Sequence, residues 1–223
     1  TDEMKDQPAI IFEGEESILE EDFQLGNDFF AKGSRSHWYN AWPQEITYGE
    51  LAEQVNYFAA TLRKNGFGKG DAIAIHLPMI PQTIISLLAI GRIGAIAVPV
   101  FSGYGVSAIE ARLNAVGAKA LITCDGFPRR SKYFKALPTA LEAVNNSPSI
   151  ERIFISVRYG EPEEEYVELG ENDFHLELED SIWGGEELPS TMGLPEPTSA
   201  EDPLIILYTS GTTGKPKGIA HTH

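Results

Sequence analysis

"AIAIHLPMIPQTIISLLAIGRIGAIAVPV", residues 72–100, holds two short apolar runs, 72–77 and 95–100, with a longer apolar segment between them that Pro78 and Pro81 introduce. The outer runs do not alternate with polar residues, which is the pattern of strands covered on both faces. The middle segment continues to about Ile93 and has helix length, so the stretch reads strand, helix, strand. A membrane span from Thr83 to Phe101 is the competing reading, but Arg92 would then sit at mid-bilayer at a cost of about 2.5–3.5 kcal/mol. A buried helix running into a buried strand explains the stretch better. Pro99 cannot donate to a ladder, so its part of the second strand is expected at an edge or a terminus.

The same alternation extends on both sides. Upstream, Thr47 and Glu50 have capping-box spacing and Ile46 can staple to Leu51; Leu51, Val55, Phe58 and Leu62 then share a helix face that ends at Gly66. Downstream, Ser107 to Glu110 is expected to form a second capping box, with Ile109, Leu113 and Val116 on one face and Gly117 closing the helix. "KALIT" (119–123), a helix over about 133–145 and the strand "RIFISV" (152–157) follow. Repeated strand–helix–strand units predict an α/β fold with a mainly parallel sheet and helices on both faces, its core spanning about 46–157.

Composition narrows the partners. With 223 residues, 42% of them hydrophobic, the chain can build a sizeable core. A formal net charge of −16 argues against nucleic acid or an anionic membrane as a standing partner, so an anionic ligand must be met by local groups. Cys124 is the single cysteine, which excludes an internal disulfide framework and fits a reducing, cytoplasmic setting; it reads as a core thiol near a strand end. Residues 161–187 carry twelve acidic side chains and no Lys or Arg, and read as a solvated excursion or hairpin. The Pro/Ser/Thr-rich connection 188–203 leads from there into an apolar strand, "LIILYTS" (204–210).

"SGTTGKPKG", Ser210–Gly218, follows that strand. Glycines allow successive N–H groups to face an anion, hydroxyls add neutral donors and lysines supply charge, so the composition is that of a phosphate cradle. It is not a Walker A loop, because only two residues separate Gly211 from Gly214 and Pro216 stands where a metal-binding hydroxyl would be. The strand-like "GIAHTH" beyond it predicts a loop between two strands. His221 and His223 lie two apart on that segment, too few ligands for a zinc site, and His37, His76 and His175 have no evident partners, so no metal site is assigned.

"YTSGTTGKPKG" (208–218) resembles the signature loop of the AMP-forming acyl-CoA synthetases of the adenylate-forming superfamily. Residues 46–103 and 109–126 resemble the opening segments of the same family, and "HLPMIPQ" and "PVFSG" lean toward the acetyl- and propionyl-CoA synthetase branch, with Ser102 where that branch usually has glycine. The resemblance implies part of the large N-terminal domain of an adenylate-forming enzyme. It also implies ATP with Mg²⁺ and coenzyme A as cosubstrates, and a short-chain carboxylic acid, acetate or propionate first, as substrate. The phosphates of ATP would meet Thr209, Ser210, Gly211, Thr212, Thr213, Gly214, Lys215 and Lys217, and coenzyme A would meet Phe101, Ser102, Gly103, Arg129 and Arg130. The bland reading of "FPRRSK" (127–132) is a solvated basic turn. By the same resemblance the acyl pocket, hinge and C-terminal domain with its adenylation lysine would lie in a C-terminal remainder beyond residue 223, so no catalytic residue is expected here and this stretch alone is expected to be inactive.

Two alternatives stay open. Gly103-x-Gly105-x-x-Ala108, with Asp125 further on, fits a dinucleotide fingerprint and would suit an NAD-dependent oxidoreductase. A non-catalytic ATP- or adenylate-binding module would also account for the loop.

Overall fold

The computed structural model describes residues 2–12, 44–129, 132–157, 175–178, 182, 188–209 and 216–223. Strand β1 (Pro8–Phe12) pairs antiparallel with β2 (Gln44–Thr47), which the periodicity gave no sign of. Helix α1 (Tyr48–Lys64) starts on the expected capping box: the Glu50 backbone N–H donates to Thr47 Oγ1 at 3.3 Å, and the Thr47 N–H donates to Glu50 Oε2 at 2.8 Å. These bonds hold the Glu50 carboxyl below its ordinary pKa. Val55, Phe58 and Leu62 are buried and Leu51 packs beside them, while the chain leaves the helix through Gly66 at φ 87°.

From there the elements alternate: β3 (Ala72–Ile75), α2 (Pro81–Arg92), β4 (Ile96–Pro99), α3 (Val106–Val116), β5 (Ala120–Cys124), β6 (Gly126–Arg129), β7 (Lys132–Lys135), α4 (Ala136–Asn145) and β8 (Arg152–Ser156). Strands β9 (His175–Glu177), β10 (Pro203–Thr209) and β11 (Lys217–Thr222) follow, with a short 3₁₀ turn at Ser190–Gly193. One seven-stranded sheet runs β11-β10-β4-β3-β5-β8-β9, parallel throughout except for the antiparallel β10–β11 pair. The chain moves from β3 to β4 on one side and then returns past β3 to β5, so the crossover helices fall on opposite faces. Helices α1 and α2 cover one apolar cluster around Phe58, Ile90 and Phe154; α3 and α4 cover the other, around Ile109, Leu121 and Leu137.

Strand β4 lies inside the sheet, and Pro99 meets the second of its two expected placements, a strand terminus, with Val100 N–H already donating to the Ile75 carbonyl and β10 pairing only at Ile205↔Ala97. Other expectations are corrected. The Ser107–Glu110 capping box does not form. The Tyr104 N–H closes a turn onto the Phe101 carbonyl, helix α3 is capped at Gly105, and Ser107 falls inside its first turn. Gly117 does close that helix in the left-handed region, at φ 58°. The helix expected from about residue 133 begins at Ala136, because 132–135 pair as β7 with β6 and the Asp125 carbonyl accepts from the Ala136 and Leu137 N–H groups.

The acidic segment is not wholly a solvated excursion. His175–Glu177 pair parallel with β8, and Leu178 and Ile182 are buried in the α1–α2 cluster; the rest of 161–187 lies outside the described residues. The connection after it is strapped to the helices. Arg63 Nη1 donates to the Met192 and Leu194 carbonyls, each at 2.6 Å, and Arg92 Nε donates to the Gly193 carbonyl at 2.6 Å. A Cβ at Gly193 would lie 2.6 Å from the Asn56 carbonyl oxygen, so the close approach requires glycine. Among the described residues no helix is long and apolar enough to cross a membrane, and the 83–101 segment resolves into buried α2 and β4.

Candidate functional site at the carboxyl edge of the sheet

In a parallel sheet the segments that follow the strands emerge at one edge, the edge where ligands of such folds gather. Here that edge collects His76 after β3, the turn 101–105 after β4, Asp125 after β5 and the loop after β10. The hairpin stem is set by sequence and register. β10 pairs with β11 from Pro203↔Thr222 to Thr209↔Lys217, so the loop begins and ends at one place, as the two-strand reading expected. Thr209 and Lys217 are both exposed there, and Ser210, Gly211, Thr212, Thr213, Gly214 and Lys215 lie outside the described residues. Across the ladder Tyr208 faces Gly218, where a Cβ would stand 3.1 Å from Ile206 Cγ2 and 3.4 Å from the Tyr208 ring. The tighter of these contacts is with Ile206, and the Tyr208 ring lies within ordinary van der Waals reach of position 218.

The register also fixes the neighbour of the stem. Ile205 sits beside Ala97, so three residues on, Tyr208 reaches the level of Val100 and the turn that follows it. In that turn Phe101 is 52% exposed and lies edge-on to Tyr104, with ring centroids 5.3 Å apart. The Arg129 guanidinium, brought back by the β6–β7 hairpin, rests over the Phe101 ring at 5.0 Å. A Cβ at Gly103 would collide with that guanidinium and with Phe101. Phe101, Gly103 and Arg129 are thus brought together, with Ser102 between them in the chain, while Arg130 lies outside the described residues. The basic turn of the sequence reading is the tip of a hairpin that the residue pattern did not reveal.

His76 does have a partner. It is fully buried, and its Nδ1 is hydrogen-bonded to Thr123 Oγ1 at 3.1 Å. Burial pushes its pKa down to about 4, weakly opposed by the nearby Ser102 backbone, so at neutral pH a neutral imidazole sits beneath the turn. Cys124 is buried at the end of β5, as expected of a core thiol.

Arg112 was missed by the sequence reading. It is 6% exposed on α3, its Nη1 donates to the Ala108 carbonyl at 2.6 Å, and its guanidinium carbon lies 4.2 Å from the Tyr104 ring centre and 5.2 Å from that of Tyr208. Burial raises the Tyr208 pKa, and the Arg112 charge opposes the rise.

The dinucleotide fingerprint meets a topological obstacle. It needs the glycine turn and the acidic residue on adjacent strands, whereas β3 lies between β4 and β5, and the Asp125 Oδ1 is engaged by the Gly126 N–H at 2.8 Å.

Comparison with known proteins agrees with this geometry. The chain is 42% identical over 181 residues to an acetyl-coenzyme A synthetase of Gemmatimonas aurantiaca, covering 79% of this chain and 27% of that protein. It is 41% identical over 180 residues to an acetyl-coenzyme A synthetase of Methanothrix thermoacetophila, covering 80% of this chain and 26% of the relative. The solved structure of an acetoacetyl-CoA synthetase from Streptomyces lividans superposes with a TM-score of 0.70 at 28% identity, over 81% of this chain and 26% of that one. The chain thus spans about a quarter of the length of the relatives it matches. A family model described as AMP-binding enzyme matches residues 32–223, and with the parallel sheet and the hairpin-borne loop at its carboxyl edge, the chain belongs to that family.

Proposed function

We propose that the protein carrying this chain activates a short-chain carboxylic acid, acetate or propionate first, with ATP and Mg²⁺, and passes the acyl group to coenzyme A. A carboxylate resists attack because oxide is a poor leaving group. Attack of the carboxylate oxygen on the α-phosphate breaks the bond to the β-phosphate, giving acyl-AMP and pyrophosphate, and the thiol then displaces AMP. The loop of residues 210–215, with Thr209 and Lys217 at its stem, would hold the leaving phosphates through backbone N–H groups, hydroxyls and lysine charge. The turn at Phe101–Gly103 with Arg129, and Arg130 beside it in sequence, would receive coenzyme A, whose phosphates need local positive charge on a chain of net charge −16.

The observation that supports the reading most directly is that the β10–β11 stem and the Phe101 turn stand side by side at one sheet edge. Acid-dependent ATP–pyrophosphate exchange without coenzyme A, measured on the full-length protein with acetate, propionate, butyrate and octanoate, tests it. Exchange that requires one of the short acids is the expected result. Silence with every acid, alongside retained ATP binding, would favour a non-catalytic nucleotide-binding role.

A further inference from the structure

The Arg112 guanidinium is buried without a carboxylate partner among the described residues, a costly placement unless other groups receive the charge. The groups that receive it are the Ala108 carbonyl on its own helix and two tyrosine rings from distant parts of the chain: Tyr104 in the turn before α3 and Tyr208 at the head of the hairpin loop. The contacts continue outward on one side through Tyr104, Phe101 and Arg129, and on the other the Tyr208 ring rests against Gly218 at the far end of the same loop. Helix α3 does not need Arg112 for anchorage, since Ile109 and Leu113 are fully buried beneath it. A planar guanidinium can stack on one ring with each face, which an ammonium cannot do.

We propose that Arg112 is a positioning residue that ties the Phe101–Tyr104 turn to Tyr208 and the β10–β11 stem, so that ligand occupancy at the turn and ligand occupancy at the stem favour each other. The inference rests on reading these segments as the coenzyme A and ATP-phosphate sites. Coupling of this kind is reciprocal: whatever occupancy at the stem does for the turn, occupancy at the turn does for the stem.

The test uses the full-length protein and the variants Arg112→Met, Arg112→Lys, Tyr104→Leu and the Arg112→Met/Tyr104→Leu double variant. Loss of the cation–ring contacts should raise the KM for ATP in pyrophosphate exchange and the KM for coenzyme A in thioester formation, each about twofold to thirtyfold. The KM for the acid should stay within about twofold, Arg112→Lys should recover part of the loss, and the double variant should lose less than the product of the single effects. Unchanged KM values for ATP and coenzyme A, a fall in kcat alone, or freely multiplying single effects would overturn the proposal. If Arg112→Met does not fold, Arg112→Lys with Tyr104→Leu completes the cycle. Absence of exchange in the unsubstituted protein overturns the functional reading and this inference with it, whereas normal exchange with an unaltered Arg112→Met profile overturns this inference alone.

Discussion

Strands β5 and β11 belong to one sheet, yet every residue of β5 is buried and every residue of β11 is exposed. The central strands are covered by helices on both faces, so their stability comes from apolar burial. In the β10–β11 hairpin, β10 packs Ile205 against one apolar cluster and Ile206 and Tyr208 against the other, whereas β11 is held by its ladder with β10. A buried centre and a lightly held outer strand would suit the phosphate-binding role proposed for the loop between β10 and β11.

The contrast breaks most visibly at Phe154 on β8, which is fully buried and meets Phe58 and Phe67 edge-on at 5.4 and 6.4 Å. Phe154→Ala should destabilise the chain by about 3–5 kcal/mol in urea denaturation followed by circular dichroism. A smaller effect comes from acid. His76 is held neutral, with its pKa lowered from 6.5 to about 4, so the unfolded chain binds the extra proton between those values. Stability from this group is full above pH 6.5, falls by about 3 kcal/mol as the pH drops to 4, and changes no further below. His76→Asn should flatten that slope in urea titrations across the same window. A slope that persists in the variant would assign it to the carboxylates instead. The rim should respond least: Ile219→Thr on exposed β11 should shift stability by no more than about 0.5 kcal/mol. A large loss there would show that the hairpin is part of the cooperative centre.

Much of the fold could be read locally. The Thr47–Glu50 cap, the apolar face of α1, the Gly117 terminus and the unbroken apolar runs of β3 and β5 depend on residues within a turn or two of each other. The two strands that flank the glycine-rich segment were legible for the same reason, since their apolar residues are contiguous. The failures fall where a turn, a hairpin or a contact between strands is not announced by residue type and spacing. Ser107 had the right spacing for a cap, but the turn closed at Tyr104 starts the helix before it. The strands that flank the FPRRSK turn were missed, and the next helix was started too early, because the residue pattern does not show that Gly126–Arg129 pair with Lys132–Lys135 ahead of α4. His76 appeared partnerless because Thr123 approaches only once β5 lies beside β3.

The sequence by itself therefore determined the central alternation of strands and helices and its mainly parallel arrangement, because both are written in periodicity and in adjacent residues. Only the tertiary structure decided the strand order that puts β3 at the centre between β4 and β5, and the stack that carries Arg129, Phe101, Tyr104, Arg112 and Tyr208 across one edge. The reason is physical. Those neighbours meet through chain reversals of many residues, and the side chains that join them, one buried arginine and three aromatic rings, have no spacing along the chain that announces the contact.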